Sequence, residues 1–389
     1  MTFFKDTKIA FISKTDRDLK QARLLFQALS KNWLVKTANG FLQSALKMHL
    51  PVGWIVKPTV YHHFCGGETI RECLPVVKKM EAYNVKAILD YSVEGTETPD
   101  SIYSTLEETI QTIHNAAGNK NIPFAVFKPT AFTLKSILEK ASNKNVLTGD
   151  EKEEISKFRD RIHLLCETAF KMHVPILIDA EHSWFQPVID EIVEEMMQLF
   201  NKKEAIVFNT FQMYRTDRLA YLKESLDRAE SGCYFLGAKF VRGAYMERER
   251  ERAGKLNYPS PVHATKEATD HDYNEALRFS VEHIHRIAIF NGTHNEYSCW
   301  YLTELMKEKG IDKNDPHMWF SQLYGMSDHI SYNLASDGYN VAKYVPYGPV
   351  KHVLPYLIRR AEENTSVKGQ SGRELSLIKQ ELKRRKKEK

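Results

Sequence analysis

The sequence predicts an α/β protein built as a (β/α)8 barrel, and two observations lead to that prediction. From Lys86 onward, eight short runs of apolar, strand-favouring residues alternate with longer amphipathic segments. Continuously apolar runs are typical of strands buried on both faces, as in parallel sheets covered by helices. The count of eight favours a closed barrel, although an open doubly wound sheet would give the same alternation. The runs are residues 87–93, 124–128, 175–180, 205–212, 234–242, 286–292, 318–324 and 341–346.

Residues 1–85 carry no strong strand signal, and we expect a helical arm there. Segments 41–50 and 69–83 have helical periodicity, and the second begins with the sequence TIRE, the spacing of a capping box. Segment 18–29 is the clearest amphipathic helix. Its apolar stripe consists of Leu19, Ala22, Leu25, Phe26 and Leu29.

The barrel prediction covers residues 86–365, and residues 366–389 differ in character. Residues 366–372 are polar and contain two glycines, which predicts a linker. Residues 374–389 then combine four aliphatic residues with a basic run. Two interpretations stay open: a solvated tail helix, or a tail that docks on acidic lipid or on a partner. The aliphatic residues are Leu375, Leu377, Ile378 and Leu382.

Composition indicates a globular protein and argues against several other classes. Hydrophobic residues make up 42% of the 389 residues, and a net charge of +5 gives no reason to expect a nucleic-acid partner. No apolar run approaches the roughly 20 residues that cross a bilayer. The N-terminus lacks a signal-peptide or transit-peptide pattern, so we expect a cytoplasmic protein. Five scattered cysteines without a CxxC pair argue against a disulfide framework or a thiolate zinc site, and we expect no metal.

The common nucleotide and hydrolase motifs are missing from the sequence. There is no GxxxxGKS or GxxxxGKT loop, no GxGxxG after a strand, no HExxH and no GxSxG. These absences argue against a P-loop enzyme and a Rossmann dinucleotide site. A large cofactor would therefore have to bind at the mouth of the barrel.

Polar residues close most of the predicted strands, and the active sites of barrels lie at the carboxyl ends of their strands. Lys128, Lys239 and Arg242 would make this mouth cationic, with Asp179 as the counter-charge. Such a mouth suits a phosphate, a carboxylate or a reduced flavin that carries negative charge. Each residue taken singly is typical of a solvated loop, and only the set favours a site. The other strand-end polar residues are Glu181, His182, Gln212, Thr293, His294, Asn295, Tyr344 and Tyr347.

Two adjacent arginines, Arg359 and Arg360, are the clearest candidates for binding a carboxylate. Neighbouring helical residues point about 100° apart, so both reach one small anion only if their helix caps the mouth. On an outer helix of the barrel they would be solvent-exposed charges. Glu363 follows at i+4 from Arg359 and i+3 from Arg360, a spacing that can hold an arginine in position.

These residues by themselves leave several functions open. Lys128 or Lys239 would be the nucleophile of a Schiff-base lyase assisted by Asp179. A metal-dependent hydrolase is a second alternative. Flavin chemistry at the cationic mouth is a third, and a binding protein without turnover is a fourth. The ligands of the hydrolase metal would be Asp179, Glu181, His182 and His294.

Over about residues 60–364 the sequence resembles the proline dehydrogenase family, both the monofunctional enzymes and the matching domain of bifunctional proline-utilisation proteins. The resemblance implies a distorted (β/α)8 barrel, noncovalent FAD at the strand ends and a last barrel helix over the mouth. It also implies oxidation of L-proline to Δ1-pyrroline-5-carboxylate by hydride transfer from proline C5 to flavin N5, the first step of proline catabolism to glutamate. The motifs are IDAEHS at 178–183, FQMYRTD at 211–217, VRGAYMERER at 241–250, NGTHN at 291–295, QLYGM at 322–326, KYVPYGPV at 343–350 and PYLIRRAEEN at 355–364.

The resemblance assigns a substrate side to the predicted mouth. Lys128, Arg359 and Arg360 resemble the clamp for the proline carboxylate, and Asp179 resembles the acid that organises this clamp beside the isoalloxazine. Tyr344 stands where it would crowd C4 of the proline ring and so favour proline over 4-hydroxyproline. The remaining residues near the substrate are Tyr245, Leu323 and Tyr356.

The resemblance also assigns a cofactor side. Lys239 takes the basic position beside flavin N5, where a cation stabilises charge on the reduced ring. Gln212 resembles a contact to the flavin ring edge, Lys266 lies near the phosphates, and Met246 stands where some relatives have Trp. Glu363 resembles the partner of the arginine pair. The full cofactor set is Ala180, Gln212, Lys239, Val241, Arg242, Gly243, Ala244, Met246, Lys266, Thr293, His294, Asn295 and Glu363.

The resemblance implies partners as well as a substrate. The family passes electrons to membrane quinones, which implies peripheral membrane contact for a cytoplasmic protein. The sequence contains no aldehyde-dehydrogenase segment, so we expect a separate pyrroline-5-carboxylate dehydrogenase to take the product.

Overall fold

The structure, a computed structural model, describes residues 3–31, 33, 35, 37, 40, 53–93, 97–366 and 370–388. The helix predicted at 41–50 lies outside these residues. The chain divides into two compact units. Unit 1 comprises Met1–Gly95, Gln322–Asp337 and Val341–Lys389, and unit 2 comprises Thr96–Ser321 and Gly338–Asn340. The division by sequence into 1–85, 86–365 and 366–389 stays a prediction.

Eight parallel strands form a nearly closed barrel with helices between them, as the sequence predicts. Their order in the sheet is β1-β8-β7-β6-β5-β4-β3-β2, which follows the chain around the barrel. A doubly wound sheet would instead reverse its order at a switch point. No strand end differs from its prediction by more than two residues. The strands are β1 (Val85–Tyr91), β2 (Ala125–Phe127), β3 (Ile176–Ile178), β4 (Val207–Gln212), β5 (Leu236–Val241), β6 (Ile287–Gly292), β7 (Met318–Leu323) and β8 (Val341–Tyr347).

Sixteen α-helices lie in the described part of the chain, together with a π-helical turn at Lys57–Tyr61 and a 3-10 turn at Pro129–Ala131. The first eight are α1 (Thr7–Ala10), α2 (Asp16–Leu29), α3 (Gly53–Val56), α4 (His62–Phe64), α5 (Ile70–Glu81), α6 (Pro99–Ala116), α7 (Lys135–Ser142) and α8 (Gly149–Lys171). The others are α9 (Gln186–Phe200), α10 (Arg218–Ser231), α11 (Met246–Leu256), α12 (Lys266–Glu282), α13 (Glu296–Glu308), α14 (Asp328–Ser336), α15 (Val350–Ser366) and α16 (Gln370–Lys387).

Hydroxyl side chains cap several helices and explain where they begin. Thr15, Thr98 and Thr148 each accept the backbone N–H of the third helical residue at the start of α2, α6 and α8. Thr69 does the same for α5. The predicted capping box of α5 is only half correct, because the Glu72 carboxylate accepts the N–H of Glu68 at 3.0 Å.

The interior of unit 2 is filled by aromatic rings that project from several strands. The Phe124 ring lies edge-to-face against Phe208 of β4, Phe290 of β6 and Trp319 of β7, with centroids 5.7, 5.1 and 5.1 Å apart. One ring that touches three strands which are not all adjacent must lie inside the curved sheet. The barrel is therefore a packed core, and polar chemistry is left to the strand ends.

The C-terminal helix α16 is docked in unit 1, so its interpretation as a solvated tail is wrong. It packs on α2. Leu377 and Ile378 are fully buried in one apolar cluster with Leu19 and Phe26 of α2. Burial of these side chains is the main stabilising contribution, because each removes apolar surface from water. Gln370–Gly372, predicted as linker, belong to this helix.

Polar bonds fix the far end of α16 to the N-terminal region of unit 1. The Arg385 guanidinium donates to the carbonyl oxygens of Phe11 and Lys14 and pairs with Asp16 at 3.0 Å. Glu381 is buried and accepts from both Arg384 and Arg385. Burial raises the pKa of Glu381, but these arginine bonds outweigh it and lower the pKa to about 2.

Among the described residues, no helix is long and apolar enough to span a bilayer.

Candidate active site

The polar residues predicted at strand ends do follow the strands of unit 2. Lys128 comes directly after β2, Asp179 after β3, and Gln212 is the last residue of β4. Because parallel strands share one carboxyl edge, these side chains stand at the same end of the sheet. The other predicted residues at this end are Ala180, Lys239, Val241, Arg242, Gly243, Ala244, Thr293, His294 and Asn295.

A buried ion pair joins two of these strand ends. The Lys239 Nζ lies 2.5 Å from Asp179 Oδ1, and their side chains are 6% and 18% exposed. The backbone N–H of Asp179 donates to the Phe127 carbonyl at 3.0 Å, which continues the β2–β3 ladder past its last residue. The pair therefore puts one cation and one anion in fixed positions at the mouth of unit 2.

Glu181 is a structural carboxylate rather than a free acid. It is buried and accepts from Thr130 Oγ1 at 2.7 Å and from the Tyr245 hydroxyl at 3.2 Å. Its backbone carbonyl accepts from Gln212 Nε2 at 2.6 Å. Gln212, predicted at the flavin ring edge, is thus held by its amide nitrogen. The sequence did not indicate the structural role of Glu181, because its partners Thr130, Tyr245 and Gln212 come from three different segments of the chain.

An aromatic column lies beside Glu181. The His182 ring stacks between Trp184 and Tyr245, with centroids 4.4 and 4.1 Å away. The Arg252 guanidinium stands 4.4 Å above the Trp184 ring and also pairs with Glu139. Tyr245, a predicted substrate contact, directly precedes α11, and the contact with His182 holds its ring in place.

The predicted metal site of the hydrolase alternative is not favoured by this geometry. No group of three His, Cys, Asp or Glu side chains in the described residues is arranged to hold a metal ion. Asp179 is paired with Lys239, and the Glu181 carboxylate accepts two hydroxyl donors. Both carboxylates are committed to protein donors.

Arg242 is the centre of a second polar cluster. Its guanidinium donates to Asp270 at 2.8 Å, Thr293 Oγ1 at 2.7 Å and Ser298 Oγ at 3.0 Å. Lys266, predicted near the phosphates, also pairs with Asp270. Burial raises the pKa of Asp270, but these two cations outweigh it and hold the pKa below its usual value. Asp270 was missed by the sequence reasoning, because it lies on α12 with no motif around it.

The turn after β5 requires glycine at position 243. Gly243 has φ +123°, and an added Cβ would overlap the Tyr214 ring. Two backbone bonds tie this turn to the end of β4, since Met213 and Tyr214 donate their N–H groups to Val241 and Arg242 at 2.8 Å. Ala244 follows, and Met246 begins α11 with its side chain exposed.

The segment after β6 forms the start of helix α13. Asn295 is the N-cap and accepts the Ser298 N–H at 3.1 Å, while its own N–H donates to Thr293 Oγ1 at 3.1 Å. His294 lies between them and is half-buried. A helix start with Arg242 bonded to Thr293 is a site that favours an anionic group.

The remaining predicted substrate residues belong to unit 1. Leu323 ends β7 and Tyr344 lies in β8, where its carbonyl accepts the Tyr324 N–H at 2.8 Å. Helix α15 carries Tyr356, Arg359 and Arg360. Tyr356 is buried, and the Arg360 guanidinium stands 5.3 Å above its ring. The backbone of Glu363 also belongs to α15, but its side chain lies outside the described residues.

The strand-end residues of unit 2 are suited to a large anionic cofactor. Their donors are an ammonium, a guanidinium, hydroxyls and a helix start, and these match phosphate oxygens and the acceptor edge of a flavin ring. Lys239 supplies a buried cation at this edge of the sheet. Together, fold and site define a barrel enzyme with a cationic mouth.

Comparison with known proteins identifies the family. The proline dehydrogenase family model matches residues 73–373. Mitochondrial proline dehydrogenase 1 of Dictyostelium discoideum is 32% identical over 426 residues, covering 98% of this chain and 74% of the relative. Mitochondrial proline dehydrogenase 2 of Arabidopsis thaliana is 34% identical over 374 residues, covering 85% and 79%. The chain belongs to the proline dehydrogenase family, whose members are oxidoreductases.

Solved structures support the same fold. The proline utilization A protein of Bdellovibrio bacteriovorus, inactivated by N-propargylglycine, matches with a TM-score of 0.73 at 21% identity. The match covers 95% of this chain, which spans only 39% of the length of that protein. At this identity the likeness concerns the barrel fold alone.

Proposed function

We propose that the chain oxidises L-proline to Δ1-pyrroline-5-carboxylate with a noncovalently bound FAD, the first step of proline catabolism. The observation that carries the proposal is the buried Lys239–Asp179 pair at the strand ends, in a chain of this family. A Schiff-base lyase with Lys239 as nucleophile is not favoured, because the ammonium of Lys239 is held by a carboxylate at 2.5 Å and so is a poor nucleophile.

The cofactor would be held by residues of unit 2. Lys239 and Gln212 would face the flavin ring, the turn Val241–Ala244 would pass along it, and Arg242 with Thr293 would support the adenosine and phosphate half. When bound, the flavin supplies the two-electron acceptor for the hydride of proline C5. The Lys239 ammonium stabilises negative charge that develops nearby, and Asp179 keeps that ammonium in place.

The substrate would be positioned by its carboxylate. By resemblance to the family, Lys128, Arg359 and Arg360 would supply the cations, and planar guanidinium groups suit a carboxylate. Leu323, Tyr344, Tyr356 and Tyr245 would enclose the ring. Fixing the substrate in one orientation is the main contribution of these residues to rate.

Proton balance sets the pH dependence of the reaction. The proline ring loses a hydride from C5 and a proton from nitrogen, and the product is a cyclic imine. The ring nitrogen has to be neutral before the hydride leaves, so the rate rises with pH as free proline loses its nitrogen proton.

An anaerobic visible spectrum of the purified protein, before and after addition of L-proline, tests the proposal. We expect a yellow flavin spectrum that bleaches with proline. A yellow protein that fails to bleach would contradict the substrate, and a protein that stays colourless after addition of FAD would contradict the cofactor. Arg359→Met should raise KM for proline steeply with flavin still bound, and loss of flavin at unchanged KM would contradict the clamp.

A membrane quinone as electron acceptor would require contact with a bilayer surface, and helix α16 supports such contact. Its apolar face is buried on α2, so its outer face is free to carry charge. Four lysines on this outer face are exposed at helical spacing, which suits anionic lipid. The lysines are Lys379, Lys383, Lys386 and Lys387.

The second partner that we propose is a pyrroline-5-carboxylate dehydrogenase, which would take the product.

Charge reversal tests the membrane contact without removing the helix. All four lysines are changed to Glu, and sedimentation with phosphatidylglycerol vesicles is compared with phosphatidylcholine vesicles. We expect binding to the anionic vesicles only, with binding lost in this variant and retained by the unchanged protein and by the control. The control reverses four exposed lysines of unit 2, and equal losses in both variants would contradict a specific surface. The control lysines are Lys120, Lys144, Lys307 and Lys309.

A further inference from the structure

The segment between β7 and α14, residues 324–327, has an energetically unfavourable backbone conformation. Gly325 has φ +78° and Ser327 has φ +51°. An added Cβ at Gly325 would overlap the carbonyl oxygen of His63. The left-handed region costs a residue with a side chain roughly 1 kcal/mol, so Ser327 needs partners to stay there.

Three side chains from distant parts of unit 1 bind the backbone of this segment, and one of them binds Ser327 itself. The His63 Nε2 lies 2.9 Å from the Gly325 carbonyl oxygen. Lys343 of β8 donates to the Met326 carbonyl at 2.7 Å and to the Leu323 carbonyl at 3.4 Å. Glu374 of α16 accepts the backbone N–H of Ser327. Nearly every residue of the segment is thus held by a side chain.

Lys343 is the centre of this arrangement and is almost completely buried, with a side chain that is 1% exposed. Its third donor lies 2.7 Å from Asp328 Oδ1, so all three N–H groups of the ammonium are satisfied. The other oxygen of Asp328 lies 3.4 Å from the Lys14 ammonium. Burial lowers the pKa of Lys343 and would raise that of Asp328, but the two lysines outweigh burial and lower the pKa of Asp328.

The same contacts reach two predicted walls of the substrate pocket. Leu323, the last residue of β7, directly precedes the segment, and Lys343 donates to its carbonyl oxygen. Tyr344 follows Lys343 in β8, and its carbonyl accepts the N–H of Tyr324. The backbones of Leu323 and Tyr344 are therefore fixed relative to each other by one hydrogen bond and one buried ammonium.

We propose that Lys343 and Glu374 are positioning residues that set the shape of the proline pocket, and that the C-terminal helix is consequently required for substrate affinity. This inference rests on the proposed function, because Leu323 and Tyr344 are pocket walls only if the chain binds proline. Glu374 of α16 accepts the N–H of Ser327, and Lys343 donates to the carbonyl oxygens of Leu323 and Met326.

Helix α16 offers a matched pair of buried carboxylates for the test. Glu374 contacts the segment through Ser327, and its side chain is 4% exposed. Glu381 is equally buried, but its partners Arg384 and Arg385 belong to the anchor on the N-terminal region. Replacing either residue by Ala removes a buried acid from the same helix, and only one replacement frees the pocket segment.

Steady-state kinetics with L-proline, flavin content and thermal melting are measured for the wild type, Glu374→Ala, Glu374→Gln and Glu381→Ala. We expect Glu374→Ala to raise KM about tenfold, because a buried N–H loses its acceptor, with kcat and flavin content close to wild type. Glu374→Gln retains an acceptor oxygen and should restore KM. Glu381→Ala should lower the melting temperature without changing KM.

The result that overturns the inference is an unchanged KM in Glu374→Ala, or equal KM shifts in Glu374→Ala and Glu381→Ala, while the wild type oxidises proline. A wild type that fails to bleach with proline overturns the proposed function instead, so the two failures are distinguishable. Should Glu374→Ala not fold, Glu374→Asp replaces it, because a shortened acid loses reach to Ser327 and makes the same prediction for KM.

Discussion

Lys239 of β5 and Asp179 after β3 form an ion pair of 2.5 Å across two strand ends of the barrel. Both side chains are largely buried, at 6% and 18% exposed, so water replaces a lost partner only in part. Removal of one charge therefore leaves the other largely buried without its main partner, which is strongly destabilising.

Lys239→Met should impair both stability and catalysis. We expect the free energy of unfolding to fall by roughly 2 kcal/mol, less than for a fully buried pair because Asp179 retains some exposure. The kcat for proline should fall on the order of 100-fold through loss of the cation. Denaturant titration and steady-state kinetics measure the two effects. Lys255→Met, in the exposed pair with Glu251, is the control and should leave both unchanged. Wild-type kcat in Lys239→Met would contradict the catalytic role.

Gly243→Ala should disturb the turn after β5. The positive φ and the overlap with Tyr214 predict a loss of roughly 2 kcal/mol or more in the free energy of unfolding. Flavin content should fall as well, which absorbance of the purified protein reports. Gly254→Ala is a matched control, because Gly254 lies inside α11 with no atom near an added Cβ. It should raise stability by up to about 1 kcal/mol.

His63 should make the protein less stable in mild acid. Burial, with a contribution from Lys14, lowers the pKa of His63 from 6.5 to about 4. Between these values the unfolded chain binds a proton that the folded chain does not, so the free energy of unfolding falls as pH decreases through this window. His63→Gln can still donate to the Gly325 carbonyl and should flatten the melting temperature from pH 6.5 to 4.

The control for the acid effect is the exposed His271 on α12. His271→Gln should leave the dependence of melting temperature on pH as in the wild type. Identical curves for His63→Gln and the wild type would show that another group controls acid stability. The loss of the Asp328 ion pair does not interfere, because the pKa of Asp328 is lowered and its protonation occurs at more acidic pH.

Tyr344 should determine the preference for proline over trans-4-hydroxyproline. Tyr344 is buried in β8, and placed against C4 of the substrate, as the family resemblance implies, its ring would leave no room for a hydroxyl. Tyr344→Ala should bring the kcat/KM values of the two substrates closer together, while Tyr344→Phe should retain the preference. Comparable kcat/KM for both substrates in the wild type would contradict this hypothesis.

The sequence was sufficient for the barrel because its strands are buried on both faces and therefore form continuous apolar runs. The helix predicted at 18–29 is confirmed, since Leu19, Ala22, Phe26 and Leu29 of its stripe are buried and Leu25 is partly buried. The tail was misjudged for a physical reason. The surface that covers Leu377 and Ile378 belongs to α2, which is far away along the chain, and no local pattern reports such a partner.

For the candidate site, the sequence identified which residues stand at the strand ends but not what they contact. Opposite charges at Lys239 and Asp179 are evident in the sequence, yet their pairing spans β4, which lies between β3 and β5 in the sheet, and no local pattern reports such a contact. Glu181 was considered as a metal ligand, whereas it accepts hydroxyl donors from Thr130 and Tyr245. Such scaffolding residues are set by tertiary contacts, and they carry no spacing of their own.

The docking of α16 on α2 has a consequence for how the chain is made. Unit 2 is almost continuous in sequence and can begin to fold while later residues are still being added at the ribosome. Unit 1 is split between the two ends, so the apolar face of α2 stays incompletely covered until residues 370–387 have been synthesised. During that interval part of this apolar face is exposed to water, and exposed apolar surface makes a partly folded chain prone to aggregation.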